Sequence, residues 1–386
     1  MIPNDVVNCV RDVYESNDFI SLHEPTFGST EEEYVLNTVR STFVSSVGQY
    51  VEQFEQGVAD YVKHNNAVAV VNGTAALHAA LHYVGVGFGD LVITQAFTFV
   101  ATCNAIKQLG AEPVFVDINH ESLSLCPQAL ANFLEEQCQL SEQGVCIHKA
   151  SGKAIKAMVP MHTFGHPAKM DEIQIISQKW GLKVVEDAAE SLGSLYNGKH
   201  TGTLGDHGII SFNGNKIITC GAGGIILSKH LAAANEIKHL TTTAKKPHSW
   251  EFEHDQVAFN YRMPNLNAAL GCAQLEKLSH IVEQKRALAK FYHRFFNDSE
   301  YQFVCEPKYA QSNYWLNALV CQSEKHRNEL LEFTNSKQVM TRPAWRLMHT
   351  LPMYSECIRG DLSTSVFYQS RIVNIPSSYN YKLKVI

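Results

Sequence analysis

The stretch AVAVVNGTAALHAALHYV, residues 67–84, contains the pattern that decides the fold. Residues 67–71 are a short apolar run of the kind that forms a buried strand, and Asn72-Gly73 is a turn. From Thr74 onward the apolar residues recur at helical spacing, which predicts a helix with one apolar face. A strand that passes through a tight turn into a helix is typical of α/β proteins.

The same alternation continues on the C-terminal side of this stretch. Apolar runs predict strands, and helical patterns lie between them: strands 91–94, 113–117, 157–162 and 182–186, and helices 99–109 and 170–180. This order predicts parallel strands with helices on both faces of the sheet. Near Gly208 the pattern changes to two strands, 209–212 and 224–227, around a glycine-rich turn, which predicts a hairpin element.

A long helix predicted over residues 267–296 divides the chain. Beyond it, strand-like runs at 314–320 and 372–375 flank a helix at 326–334. We therefore expect a large mixed-sheet α/β domain over residues 1–270, including the N-terminal segment, and a smaller C-terminal α+β domain over residues 271–386. The length of 386 residues also favours two structural units.

The composition excludes several classes of protein. The chain has 32 Lys and Arg against 38 Asp and Glu, a net charge of −6, whereas a nucleic-acid-binding protein needs a basic surface. No run approaches the roughly 18 apolar residues that span a bilayer, and the N-terminus lacks the apolar segment of a signal peptide. The ten cysteines form no CxxC pair, and the histidines show no metal-ligand spacing. We expect a cytoplasmic enzyme without a metal, a nucleic-acid partner or a membrane.

Two features predict ligand-binding groups at the carboxyl ends of the strands, where open α/β sheets bind ligands. In the turn after Asn72, the backbone N–H groups of Gly73, Thr74 and Ala75 would face outward at the positive end of a helix and form an anion cradle. A plain helix cap explains the same residues. Asp187, at the end of a strand, would hold a cation or a protonated ring nitrogen, or would simply cap the following helix.

The third feature is SFNGNK, residues 211–216, followed by glycines. Lys216 lies in a glycine-lined turn just past a strand, and a desolvated lysine amine there is a good Schiff-base former. The glycines follow the lysine, so this is not a P-loop. Together, the cradle, Asp187, Ser211 and Lys216 fit a site for pyridoxal 5′-phosphate (PLP). The cradle and Ser211 would hold the phosphate, Asp187 would pair with the ring nitrogen, and Lys216 would bind the aldehyde.

Seven motifs in order resemble the DegT/DnrJ/EryC1/StrS family of sugar aminotransferases, from about residue 25 to 380. The motifs are FVSSVGQYVEQFE (43–55), NGTAAL (72–77), FTFVAT (97–102), VVEDAAES (184–191), SFNGNKIITCGAGG (211–224), FNYRMPNLNAALG (259–271) and RIVNIPSS (371–378). The resemblance implies the aspartate-aminotransferase-like (type I) fold of PLP-dependent transferases. It also implies catalysis of amino transfer to a nucleotide-linked keto-sugar.

The resemblance also implies roles for residues at matching positions. Phe99 matches the aromatic residue that stacks on the cofactor ring, and Gly73, Thr74 and Ser211 match phosphate contacts. Asn260 matches a residue that reaches into the neighbouring subunit's site, which implies a homodimer with shared active sites.

Five other residues are candidates for the site. Glu190 stands where many family members have Gln, which contacts the 3-oxygen of the cofactor, so a carboxyl group here has to be protonated or turned away. His162 lies at a strand end and is a candidate to line the pocket, although its sequence context favours a core or loop role. Lys245, in a loop, would meet a diphosphate or simply be solvated. Arg342 and His349, in the segment TRPAWRLMH, would contact the sugar.

The expected reaction moves an amino group from an amino acid, by resemblance L-glutamate, to the keto carbon, C4, of a nucleotide-linked deoxy-sugar. Lys216 would be the general base and acid. The residues of the motifs SFNGNKIIT and PNLNAALG are most similar to those of family members that aminate UDP-linked 4-keto-6-deoxy-N-acetylhexosamines of the bacillosamine or legionaminic acid type. It also resembles GDP-perosamine enzymes, so we expect UDP before GDP or dTDP, in amino-sugar synthesis for polysaccharides or glycans. Alternatives are a sugar dehydratase of the same fold, in which histidine generally replaces the lysine, and a non-catalytic regulatory member.

Overall fold

The structure, a computed structural model, describes residues 2–379. The α-helices within them are α1 (Pro3–Tyr14), α2 (Ser29–Ser41), α3 (Gln49–Tyr61), α4 (Gly73–Tyr83), α5 (Val100–Gln108), α6 (Pro127–Gln137), α7 (Met170–Trp180), α8 (Leu231–Thr241), α9 (Asn265–Phe296), α10 (Glu324–Ser336) and α11 (Ser363–Gln369). Within the same residues, none of these helices has both the length and the apolar character that crossing a bilayer requires.

The strands are short and belong to four sheets. They are β1 (Ala67–Val70), β2 (Leu91–Gln95), β3 (Glu112–Val116), β4 (Cys138–Leu140), β5 (Cys146–His148), β6 (Ile155–Val159), β7 (Lys183–Asp187), β8 (Leu195–Tyr196), β9 (Lys199–His200), β10 (His207–Ser211), β11 (Gly224–Ser228), β12 (Gln302–Phe303), β13 (Ala310–Gln311), β14 (Asn317–Val320), β15 (Arg342–Pro343) and β16 (Ile372–Ile375). Three single 3₁₀ turns cover Thr163–Gly165, Met348–Thr350 and Pro352–Tyr354.

The largest sheet has seven strands in the order β1-β11-β10-β7-β6-β2-β3. Its neighbours from β10 to β3 pair in parallel, whereas β11 is antiparallel to both β1 and β10. The antiparallel pair β10–β11 is the hairpin element expected around the glycine-rich turn. The mixed sheet and its helical connections confirm the predicted α/β fold class.

Helices cover both faces of this sheet, as the alternation of strands and helices predicts. Strand β1 shows the principle, because its successive side chains point to opposite faces. Val68 and Val70 pack with α4, α5 and α8, whereas Ala69 packs with α3 and α9. At the other end of the sheet, helices α6 and α7 cover the same face as α3 and α9 do. Each strand is therefore buried on both sides, which explains its near-continuous apolar sequence.

A second sheet, antiparallel and in the order β12-β14-β16-β15, lies in the C-terminal part with α10. Helix α1 packs in the same core, where Val6 and Val10 join Tyr292 and Leu330. The expectation that the N-terminal segment belongs with the large domain is therefore corrected for α1, whose apolar face is covered by the smaller core. The division between residues 270 and 271 stays a prediction, and it falls inside α9.

Candidate active site

The N-terminus of α4 lies directly against the end of β10. A Cβ atom added to Gly73 would lie 2.9 Å from the Cβ of Ser211 and 3.1 Å from its Oγ. Asn72 caps the helix, because its Oδ1 accepts the Ala75 N–H at 2.8 Å. The expectation that the Ala75 N–H is free to bind an anion is therefore corrected. The N–H groups of Gly73 and Thr74 and the Ser211 hydroxyl remain as the candidate phosphate cradle.

Asp187 ends β7, next to β10 in the sheet, and its carboxylate is held from two sides. Its Oδ2 accepts a hydrogen bond from Thr102 Oγ1 at 2.6 Å, and its Oδ1 accepts one from the Ala189 N–H at 3.2 Å. Asp187 is 3% exposed and Thr102 is fully buried. Because hydrogen bonds to a charged group are strong, Thr102 and Ala189 fix the carboxylate in one orientation.

Lys216 lies in the turn beyond β10 with its side chain 11% exposed. Its Nζ is 3.4 Å from Glu190 Oε1 and 4.1 Å from the centroid of the Trp315 ring. The ring is itself fixed, because Trp315 Nε1 donates to the Asn215 carbonyl at 2.7 Å. The ammonium group is therefore held between a carboxyl group and an aromatic face, and is not a solvated surface charge.

Glu190 is buried beside Lys216, with 3% exposure. Its Oε2 accepts the Phe164 N–H at 2.9 Å. Burial raises the pKa of the Glu190 carboxyl to about 7, while the charge of Lys216 acts to lower that pKa. Near neutral pH this carboxyl therefore exists in both its protonated and its ionised form.

Phe99 is the aromatic residue expected to stack on the cofactor ring. It is 48% exposed, immediately before α5, and its ring centroid is 6.4 Å from that of Trp345. Trp345 also packs against Phe97 and Phe164. The exposed ring of Phe99 is thus available for stacking on a planar ligand and has an aromatic support behind it.

The arrangement of Gly73, Ser211, Asp187 and Lys216 in this structure is suited to binding PLP. A Cβ atom would fill the cradle at Gly73, so the backbone there is open for the close approach of a phosphate group. Asp187 supplies a fixed carboxylate, and Lys216 supplies a largely desolvated amine. The parallel pairing of β7 and β10 places Asp187 and Ser211 at the same edge of the sheet.

Comparison with known proteins decides the family. The sequence model of the DegT/DnrJ/EryC1/StrS aminotransferase family matches residues 25–384. The chain belongs to this family. As a DegT/DnrJ/EryC1/StrS aminotransferase it is a PLP-dependent enzyme, which confirms the predicted cofactor.

Individual relatives agree with this assignment. The chain is similar to EpsN of Bacillus subtilis (strain 168), itself named as a candidate pyridoxal phosphate-dependent aminotransferase, with 36% identity over 88% of this chain and 84% of EpsN. It is 36% identical to the GDP-perosamine synthase of Vibrio cholerae over 93% of this chain and 94% of that protein. A solved DegT DnrJ EryC1 StrS aminotransferase from Brucella abortus has the same fold, with a TM-score of 0.82 at 24% identity over 90% of both chains.

The expectation that His162 lines the pocket of the aminotransferase is corrected. Its ring is fully buried, and both nitrogens are engaged. The Ala168 N–H donates to Nδ1 at 3.0 Å, so the ring proton is on Nε2, which donates to Glu186 Oε2 at 3.0 Å. Glu186 in turn accepts three N–H groups of residues 202–205. His162 is therefore a core residue that anchors a loop through Glu186.

The other substrate candidates lie at the surface or near it. Arg342 is exposed on β15. His349 lies in the 3₁₀ turn that begins at Met348. The Met348 N–H donates to the Ala96 carbonyl at 3.0 Å. Burial, together with the charge of Arg359, lowers the pKa of His349. The Nζ of Lys245 lies 3.9 Å from the centroid of the Phe252 ring. The substrate contacts of Lys245, Arg342 and His349 stay predictions.

Three further groups belong to the site and were missed in the sequence. Thr102 orients Asp187, Trp315 supports Lys216, and the Phe164 N–H orients Glu190. For Thr102 a signal existed, because a hydroxyl in the first turn of the helix after FTF lies at the carboxyl edge of the sheet. Trp315 and Phe164 reach the site only through tertiary packing, for which the sequence offers no local signal.

Proposed function

We propose that this aminotransferase moves an amino group from an amino acid, L-glutamate, to the C4 keto carbon of a nucleotide-linked deoxy-keto-sugar, in the synthesis of amino sugars for polysaccharides or glycans. The observation that carries the proposal is the placement of Lys216, whose amine is largely buried and held between Glu190 and the Trp315 ring. A lysine in such surroundings is suited to covalent and proton-transfer chemistry.

The binding roles follow from the geometry at the carboxyl edge of the sheet. The N–H groups of Gly73 and Thr74, with the Ser211 hydroxyl, would bind the cofactor phosphate at the positive end of α4. Asp187, oriented by Thr102, would pair with the ring nitrogen. PLP, when bound, withdraws electrons from the carbon attached to the reacting amine.

The proton transfers fall to Lys216. Its Nζ would take a proton from the donor's α-carbon as a free amine and deliver it as an ammonium group, the two roles of a general base and acid. Its largely buried position, with 11% of the side chain exposed, limits the contact of the amine with bulk water. The Trp315 ring restricts the positions that the ammonium group can occupy.

For the nucleotide we propose GDP before UDP. The relatives in Vibrio cholerae and in Escherichia coli O157:H7, each 36% identical to this chain, are named GDP-perosamine synthases. The sequence motifs led us to expect UDP, and these comparisons do not support that expectation. The deoxy-sugar and its C4 keto group remain parts of the proposal.

A half-reaction assay tests the proposal. The purified protein is loaded with PLP and treated with L-glutamate, which should bleach the visible band. GDP-, UDP- and dTDP-linked 4-keto-6-deoxy-sugars are then offered separately, and return of the band identifies the acceptor. We expect recovery with the GDP-linked sugar. If L-glutamate does not bleach the band, the proposed donor is wrong. If none of the three keto-sugars restores the band, the proposed class of acceptor is wrong.

We also propose a homodimer with shared active sites. Asn260 is exposed, as expected for a residue that acts in a neighbouring subunit. Large apolar side chains are exposed on α2, on the segment before α3 and on the segment before Asn260: Leu36, Val39, Phe43, Val44, Val47, Trp250, Phe252 and Val257. Exposed apolar groups of this kind mark association surfaces. Sedimentation equilibrium should give twice the chain mass of 43.1 kDa.

A further inference from the structure

Glu190 lies beside the reacting amine of the proposed mechanism. Its Oε1 is 3.4 Å from Lys216 Nζ, and its Oε2 accepts the Phe164 N–H. Phe164 has a left-handed backbone, with φ of 56°, and its ring packs against Phe97 and Trp345. The packed ring holds the N–H in place, so that Oε2 is fixed and Oε1 is directed to the lysine.

We propose that Glu190 is the acid–base partner of Lys216, taking a proton from its ammonium group and later returning it. In this step one Nζ–H bond breaks, an O–H bond forms at Oε1, and the electron pair stays on Nζ as a free amine. The pair has no net charge before or after the transfer, and no co-reactant is needed. The inference rests on the proposed role of Lys216 and adds a second group that holds the proton.

The surroundings of Glu190 suit this exchange. Among the described residues 2–379, the charged groups that act on it are Lys216, from the turn after β10, and Asp187, at the end of β7, three residues before Glu190. The remaining contacts are neutral: the Phe164 N–H, and the Asn313 side-chain amide, which donates to the Glu190 carbonyl at 2.9 Å. Burial and the charge of Asp187 raise the pKa of Glu190, and the net result is about 7. Below this pH Glu190 is a proton donor, and above it an acceptor.

The protein loaded with pyridoxamine phosphate provides the test, since its lysine then carries no cofactor. Infrared difference spectra across pH 5 to 9 follow the carboxylic acid band of Glu190, and E190Q identifies that band. We expect loss of the band with a midpoint at about 7. In K216M the midpoint should rise by about one to three pH units, because a nearby cation no longer favours the ionised form.

A kinetic arm tests the role in turnover. The rate of bleaching by L-glutamate should rise with pH through about 7 in the wild type, as Glu190 becomes the acceptor. E190Q should lack this rise in rate with pH, because an amide takes up no proton in this range. The control is E31Q, because Glu31 is also a buried acid, paired at 2.7 Å with Lys277 away from these contacts. It should leave the band and the pH profile unchanged.

The outcomes separate this inference from the proposed function. A Glu190 carboxyl ionised across the whole range, a midpoint unaffected in K216M, or a wild-type pH profile in E190Q would each overturn it. If E190Q does not fold, ¹³C labelling of the glutamate side-chain carboxyl groups distinguishes a glutamate band from an aspartate band, and the shift of its midpoint in K216M is then the test. Borohydride reduction of the PLP-loaded protein, followed by peptide mapping, separately reports whether Lys216 holds the cofactor.

Discussion

Substitution of Gly73 by alanine tests the phosphate cradle most sharply. The new Cβ would lie 2.9 Å from Ser211 Cβ and 3.1 Å from Ser211 Oγ, a separation at which one of the two must move. Overpacking of a tight contact costs about 1–3 kcal/mol, and displacement of Ser211 would also remove a phosphate ligand. If this strain acts on the PLP-bound form, the dissociation constant for PLP should rise by about 5-fold to 150-fold.

The assay is a titration of cofactor-free protein with PLP, followed by the visible band, and circular dichroism confirms that the variant is folded. Gly214 provides the matched control, because it lies in the turn that contains Lys216 and a Cβ there meets nothing within 4 Å. Its alanine variant should bind PLP like the wild type. Binding by G73A within twofold of the wild type would refute the cradle at Gly73 and Ser211.

Three other substitutions test the remaining roles. D187N should retain some cofactor but react at least about tenfold more slowly, because the ring nitrogen loses its anionic partner. An unchanged rate would assign that role to another residue. T102V should lower kcat/KM by about 10-fold to 150-fold, the value of one hydrogen bond to a charged group, and wild-type kcat/KM would show that Asp187 needs no such support. N260A should weaken PLP binding by about 2-fold to 12-fold in a titration, whereas a fully active monomer would contradict shared sites.

The sequence predicted those elements whose signal is local. The helix predicted over residues 170–180 is observed as Met170–Trp180, since its apolar spacing and the following Gly181 both mark it. The strand predicted over 67–71 is observed as Ala67–Val70. Asp187 and Ser211 were both predicted at the ends of strands, where open α/β sheets bind ligands, and the parallel pairing of β7 and β10 places them at one edge of the sheet.

The sequence failed where distant segments decide the structure. The N-terminal helix α1 was assigned to the wrong core, because its partners, such as Tyr292 and Leu330, lie roughly 280 to 320 residues later in the chain. His162 ends a predicted strand, but its ring turns into the core to reach Glu186. The Trp315 ring contacts Lys216 directly, and a hydrogen bond from its Nε1 to the carbonyl of Asn215, 100 residues away in the chain, holds the ring there. None of these contacts has a local pattern.

The attachment residue of PLP tests the central claim most directly. The PLP-loaded protein is reduced with borohydride, digested and analysed by mass spectrometry, with K216A treated in the same way. We predict that the visible band disappears and that the cofactor mass is found on the peptide containing Lys216, whereas K216A shows neither a visible band nor a modified peptide. Cofactor fixed to another lysine, or full turnover by K216A, would contradict the account.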